Sequence, residues 1–174
     1  MRAVTRKERF IQFMKLYLIR HGRAVNEHND VKRPLDEQGR WEADQIGLYL
    51  RREVVTPSVI WHTERLRSLQ TAEIIARHLA SVDRLKIQKG LSPDDPVIKI
   101  ADKITEYAIR KPEGVLLIVG HLPSVEKLAF FLTDGSQKIK DFHYGTGSLI
   151  ELESQESAPW KLRQCLTPDE AARR

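Results

Sequence analysis

Apolar residues fall in two rhythms along this chain. Leu16–Ile19, Ser58–Trp61, Leu85–Ile87 and Val115–Val119 are short runs, mostly aliphatic or β-branched, as strands of a buried parallel sheet are. Between them the period changes. Leu69, Ala72, Ile75, Ala76 and Leu79 keep helical spacing, as do Val125, Leu128, Ala129 and Leu132. Asp36 is placed to cap a helix over Glu37–Glu53. Within that helix Gly39, Ala43 and Gly47 recur every four residues, a small face that predicts close packing on the sheet. Val97–Ile109 reads as a further helix, ended near Pro112 and Gly114, and Pro123 suits the first turn of the next one. Ser92–Pro96 reads as a loop, and Gly145–Gly147 as a turn into two late edge strands, Ser148–Leu152 and Lys161–Leu166.

Strands that alternate with helices require right-handed crossovers. The predicted fold is therefore α/β: a single three-layer domain with a mostly parallel central sheet and helices on both faces. Residues 1–13 read as an N-terminal extension, 14–168 as the domain, and 169–174 as a loose C-terminal tail.

Composition narrows the setting. At 174 residues, 41% hydrophobic and 30% charged, the chain is ordinary for one globular domain. A lone cysteine, Cys165, rules out an internal disulfide and suits a reducing compartment. No apolar stretch is long enough to span a bilayer, and the charged N-terminus leads into no apolar signal core. A cytoplasmic protein without a membrane partner is expected. The net charge of +5 favours an anionic partner. The basic residues form no dense stripe interleaved with aromatics, so a small phosphorylated group is expected rather than nucleic acid.

The chemistry lies where the strands end, since open α/β sheets bind ligands beyond their carboxyl edges. The first strand exits into Arg20-His21-Gly22, and the strand at Val115–Val119 exits into Gly120-His121-Leu122-Pro123. A neutral imidazole is a nucleophile near neutral pH, and the guanidinium of Arg20 offers a planar fork to phosphate oxygens. Gly22 predicts a tight turn that leaves room for a ligand. After Ser58–Trp61, Arg67 falls in the first turn of the following helix, where it adds charge to an anion-friendly terminus.

Arg20-His21-Gly22, Arg33-Pro34-Leu35, Arg67-x-x-Gln70-Thr71-Ala72 and Gly120-His121, in that order, resemble the histidine phosphatase superfamily, which includes the phosphoglycerate mutases. Short length, Gly39 after Arg33-Pro34-Leu35, and Val119-Gly120-His121-Leu122-Pro123 resemble its SixA-type phosphohistidine phosphatase branch. The resemblance spans residues 14 to 152. It implies that His21 is the nucleophile, passing through a phosphohistidine, and that Arg20, Arg67, His121 and Arg33 hold the phosphoryl oxygens. It implies no metal and no other cofactor, because arginines supply the positive charge. Its implied substrate is a phosphorylated protein carrying phosphohistidine.

The chain departs from the resemblance in two places. Larger members of the superfamily draw a carboxylate acid from an insertion, where this chain has only Gly90–Pro96; Asp94 and Asp95 are the candidates there. His62-Thr63-Glu64 stands where a Ser-Pro pair is common. Two alternatives follow: a phosphatase of small phosphate esters or anhydrides with a working acid, and a non-catalytic phosphate-binding module. His28, His62, His78 and His143 lack metal-ligand spacing. Cys165 is expected to be inert, and Trp41, Trp61 and Trp160 to serve packing.

Overall fold

Two hydrophobic layers, one on each side of a six-stranded sheet, organise the molecule. The structure is a computed structural model that describes residues 13–155 and 159–174. Its strands are β1 (Lys15–Arg20), β2 (Val59–His62), β3 (Leu85–Ile87), β4 (Val115–Gly120), β5 (Leu149–Glu153) and β6 (Lys161–Leu166). Its helices are α1 (Glu37–Arg52), α2 (Leu66–His78), α3 (Val97–Arg110), α4 (Ser124–Leu132), α5 (Gln137–Asp141) and α6 (Pro168–Ala172). The strand order is β3-β2-β4-β1-β5-β6. The first four strands run parallel, and the pairs β1–β5 and β5–β6 are antiparallel. The expected α/β domain with a mostly parallel sheet is what the chain forms.

Strand alternation sends Leu16 and Leu18 of β1, with Leu116 and Ile118 of β4, to one face, where α3, α4 and α5 cover them with Ile104, Leu128 and Ile139. Tyr17, Ile19, Leu117 and Val119 point to the other face, under Ile46 and Leu50 of α1, Ile75 of α2 and Ala171 of α6. No helix among the described residues is long and apolar enough to cross a membrane.

The structure alters three expectations. The small face of α1 does not lie on the sheet. A side chain at Gly39 would meet the Arg23 carbonyl at 1.9 Å, and one at Gly47 would strike the His78 ring at 2.5 Å. That face therefore packs on the loop after β1 and on α2, while Ile46 and Leu50 take the sheet. Gly22 is likewise required by contact rather than by a turn: a Cβ there would sit 2.4 Å from the Gly39 carbonyl oxygen. Asp169–Arg174 is not a loose tail. Thr167 and Glu170 form a reciprocal cap on α6, Ala171 is fully buried, and Arg52 Nη2 donates to the Ala171 carbonyl at 2.7 Å. Residues 1–12 of the expected extension lie outside the described residues.

Candidate active site

The switch in connection order puts β1 between β4 and β5, and β4 between β1 and β2. The carboxyl ends of β1, β4 and β2 thus lie side by side, with Arg20 in register with Gly120 and His62 with Val119. His21, His121 and Thr63, the next residues along, gather at one edge of the sheet.

His21 is held by its own backbone neighbour. Its Nδ1–H donates to the Gly22 carbonyl at 2.7 Å, which puts the ring's lone pair on Nε2. Arg67 Nε donates to that Nε2 at 3.2 Å. Burial, opposed by the Gly22 hydrogen bond and aided by the charges of Arg67, Arg20 and Arg33, pushes His21 down to about 4. The ring is therefore neutral at physiological pH. The His121 ring lies 4.9 Å from that of His21, centroid to centroid, tilted by 53°. Burial first, then His21 and the nearby arginines, push His121 down to about 2. Its Nε2 is 2.7 Å from the Thr63 hydroxyl, which also receives the Arg65 N–H at 3.3 Å.

The arginines are built in from several elements. Arg20, at the end of β1, donates from Nη1 to the Tyr144 carbonyl at 2.9 Å, and burial lowers its affinity for its proton. Arg67 lies in the first turn of α2 and is only 5% exposed, so it is no ordinary surface arginine. Burial, with Arg65 and Arg33 as like charges, pushes it down to about 10, still charged at neutral pH. Gln70 and Thr71, on the next turn of α2, accept the N–H groups of Leu35 and Gly22 at 2.8 and 3.0 Å. Those two bonds tie the loops after β1 to the helix that carries Arg67. Arg33 donates from Nε to the Val25 carbonyl at 2.7 Å and from Nη1 to Asp30 at 3.4 Å.

Three buried side-chain atoms among the described residues have no hydrogen-bond partner: Arg20 Nε, His121 Nδ1 and Ser148 Oγ. Two of the three belong to this site. Unpartnered buried donors are costly, and their concentration here marks a place for a ligand that accepts hydrogen bonds.

The structure thus brings Arg20, His21, Arg67 and His121 together, with Arg33 joined to them through Asp30. It does not bring Asp94 to the cluster; that residue is exposed. Asp95 lines a groove of about 470 Å³ that also contains Thr63, Arg65 and Lys89, and its Oδ2 accepts the Ser92 N–H at 2.8 Å. Sequence reasoning missed Asp30, Thr63 and Arg65. Of these, only Thr63 carried a signal, as the residue that follows the β2 strand. Cys165 fits its expected inertness, since burial pushes its thiol up to about 11.

Residues 16–92 match the family model of the histidine phosphatase superfamily (branch 1). That span contains Arg20, His21, Arg33 and Arg67, and the fold brings His121 to them. Over that span the chain is similar to the histidine phosphatase superfamily. No curated protein matches it in sequence. Histidine phosphatase folds recur among solved structures similar to it. The protein histidine phosphatase SixA complexed with tungstate is 22% identical, with a TM-score of 0.82 over 90% of this chain and 98% of that one. A protein from Agrobacterium tumefaciens assigned as a phosphohistidine phosphatase SixA is 20% identical, with a TM-score of 0.73 over 90% and 99%. A phosphoglycerate mutase from Bacillus anthracis is 14% identical, with a TM-score of 0.74 over 92% and 96%. Likeness at these identities shows a shared fold.

The depressed histidines make this protein sensitive to acid. Both rings are neutral in the fold, whereas in the unfolded chain they take up protons below about pH 6.5. Stability is therefore complete above that pH and falls as pH drops toward the folded values of about 4 and 2. Each histidine contributes a slope of about 1.4 kcal/mol per pH unit in that window. Urea unfolding at pH 7 and pH 5.5 should show a drop about 1.3 kcal/mol larger in the wild type than in His121→Asn, which loses one of the two contributions. Equal pH dependence in the two proteins would contradict a buried neutral His121.

Proposed function

We propose that this chain is a phosphatase of the histidine phosphatase superfamily and acts on phosphohistidine, or a closely related phosphoramidate, in a protein. The observation that supports it is the state of His21: a neutral ring whose Nδ1–H is fixed on the Gly22 carbonyl and whose Nε2 faces Arg67. Nε2 attacks phosphorus in line, forming a P–N bond as the bond to the leaving nitrogen breaks. Arg67, Arg20, Arg33 and His121 stabilise the charge on the three phosphoryl oxygens. Water then hydrolyses the phosphohistidine, returning His21 and releasing orthophosphate. With the Thr63 hydroxyl donating to Nε2, the His121 ring proton stands on Nδ1, ready for a phosphoryl oxygen.

The supply of acid supports a nitrogen leaving group. The carboxylate that touches the site's arginines is Asp30, and guanidinium groups engage its oxygens. Asp95 is tied into its own turn, and Asp94 is exposed. A phosphoramidate nitrogen can be protonated before attack and then leaves neutral, whereas an alkoxide requires a proton from the protein. General acid catalysis is worth about a hundred- to ten-thousandfold. The test is kcat/KM for a phosphohistidine peptide, an aryl phosphate and an alkyl phosphate. The expected order is as written, with at least about a hundredfold between first and last. An alkyl phosphate as best substrate, with activity lost in Asp95→Asn, would instead support the reading of a small-ester phosphatase, for which the position of Asp95 in the adjoining groove speaks. Tight phosphate binding without turnover would leave a binding module.

A further inference from the structure

The loop between β1 and α1 folds back on itself: Ala24 bridges Leu35, and Val25 N–H donates to the Pro34 carbonyl at 3.0 Å. Its tip is a short 3₁₀ turn, Asp30–Lys32, capped by the Asn29 side chain. This places the Asp30 carboxylate among three guanidinium groups. Arg67 Nη2 is 3.1 Å from its Oδ1, Arg33 Nη1 is 3.4 Å from the same oxygen, and Arg65 Nη1 binds Oδ2. The Asp30 carbonyl takes Arg67 Nη1 at 2.6 Å.

All three guanidinium nitrogens of Arg67 are thereby engaged. Nε serves His21, Nη1 the Asp30 carbonyl, and Nη2 the Asp30 carboxylate. A phosphoryl group seated against His21 Nε2 needs the same planar fork. The two anions compete for one set of cations. Asp30 is also free to leave, since its side chain is 47% exposed and, among the described residues, its carboxylate oxygens bind only arginine.

We propose that Asp30 is an internal competing anion that sets the affinity of the pocket for phosphate. In the free enzyme it satisfies Arg33, Arg65 and Arg67. An arriving phosphoryl group displaces it, and its return helps expel orthophosphate after hydrolysis. Asp30 is a positioning residue, acting through the arginines and touching no reacting atom. The inference rests on the reading of this site as the phosphoryl pocket.

A merely structural role gives the opposite expectation: without Asp30 the arginines would splay and bind anions less well. The experiment uses the full chain, with orthophosphate as the probe, followed as a competitive inhibitor and by direct titration. In Asp30→Asn the inhibition constant of orthophosphate should fall by about ten- to a hundredfold, as one charge-assisted competitor is removed. KM and kcat should fall together, because product release slows. Asp30→Glu, which keeps a carboxylate, should restore most of the wild-type constants. Thermal unfolding of each variant checks that the fold is kept, and Arg67→Ala serves as the control for the site. Unchanged or weaker orthophosphate binding in Asp30→Asn, with binding still lost in Arg67→Ala, overturns the role of Asp30 alone. Binding indifferent to both substitutions overturns the reading of the pocket as well.

Discussion

His21→Ala is expected to abolish turnover while leaving the fold intact. The ring projects from the strand mouth and belongs to neither hydrophobic layer, so its loss opens no cavity in the core. What it removes is the nucleophile. The remaining arginines can bind phosphate but have no atom that forms the covalent intermediate. Loss of a nucleophile that acts with its partners as a unit costs on the order of a millionfold in the rate of chemistry. Circular dichroism and thermal unfolding should remain close to wild type at pH 7, and orthophosphate should still bind. Residual turnover within about a hundredfold of wild type would place the nucleophile elsewhere.

Arg67→Ala is expected to have the second largest effect. Among the described residues Arg67 is the one cation hydrogen-bonded to the nucleophile, and its burial means that neither water nor a neighbouring side chain replaces it. Loss of one preorganised donor to a developing oxyanion costs about a hundred- to a thousandfold. Alanine removes the whole fork, so a fall in kcat of about a thousandfold or more follows. Arg67→Lys keeps a charge but not the two-point geometry, and should fall by about ten- to a thousandfold. The fold should tolerate both better than the activity does, since Gln70 and Thr71 keep the loops tied to α2. Wild-type kinetics in Arg67→Lys would show that the fork is not used.

The fold was legible wherever hydrophobic runs were long. β1 and β4 announce themselves because both faces of each strand are buried. α2 and α4 announce themselves because one face is. α5 was missed because five residues are too few to show a period. α6 was missed although Thr167-Pro168-Asp169-Glu170 carries the capping-box spacing, a signal that outweighs position at the end of a chain. The spacing of Gly39, Ala43 and Gly47 correctly marked a close approach but not its partner. A period identifies a face of a helix, and only tertiary structure says what lies against it.

The site was legible for a related reason. Arg20, His21 and His121 follow strong strands, and strand ends in such sheets converge. Arg67 was legible through its place at a helix start. Asp30 was not, because it sits in the polar run Asn26-Glu27-His28-Asn29-Asp30, which reads as solvated loop. Its role depends on the hairpin-like closure at Ala24 and Leu35, a contact that leaves no periodic trace. Asp94 and Asp95 show the converse: chemistry suggested by residue type alone, where the turn at Ser92 draws Asp95 into local hydrogen bonding and Asp94 is exposed.

In this mechanism the phosphoryl group passes through His21. Brief mixing of the enzyme with labelled phosphohistidine peptide or phosphoramidate, followed by a denaturing quench, captures the intermediate. An acid-labile, base-stable phosphoryl group is expected on the peptide containing His21, appearing before orthophosphate and absent in His21→Ala. A phosphoryl group recovered reproducibly on another residue, or undiminished in His21→Ala, would contradict this mechanism.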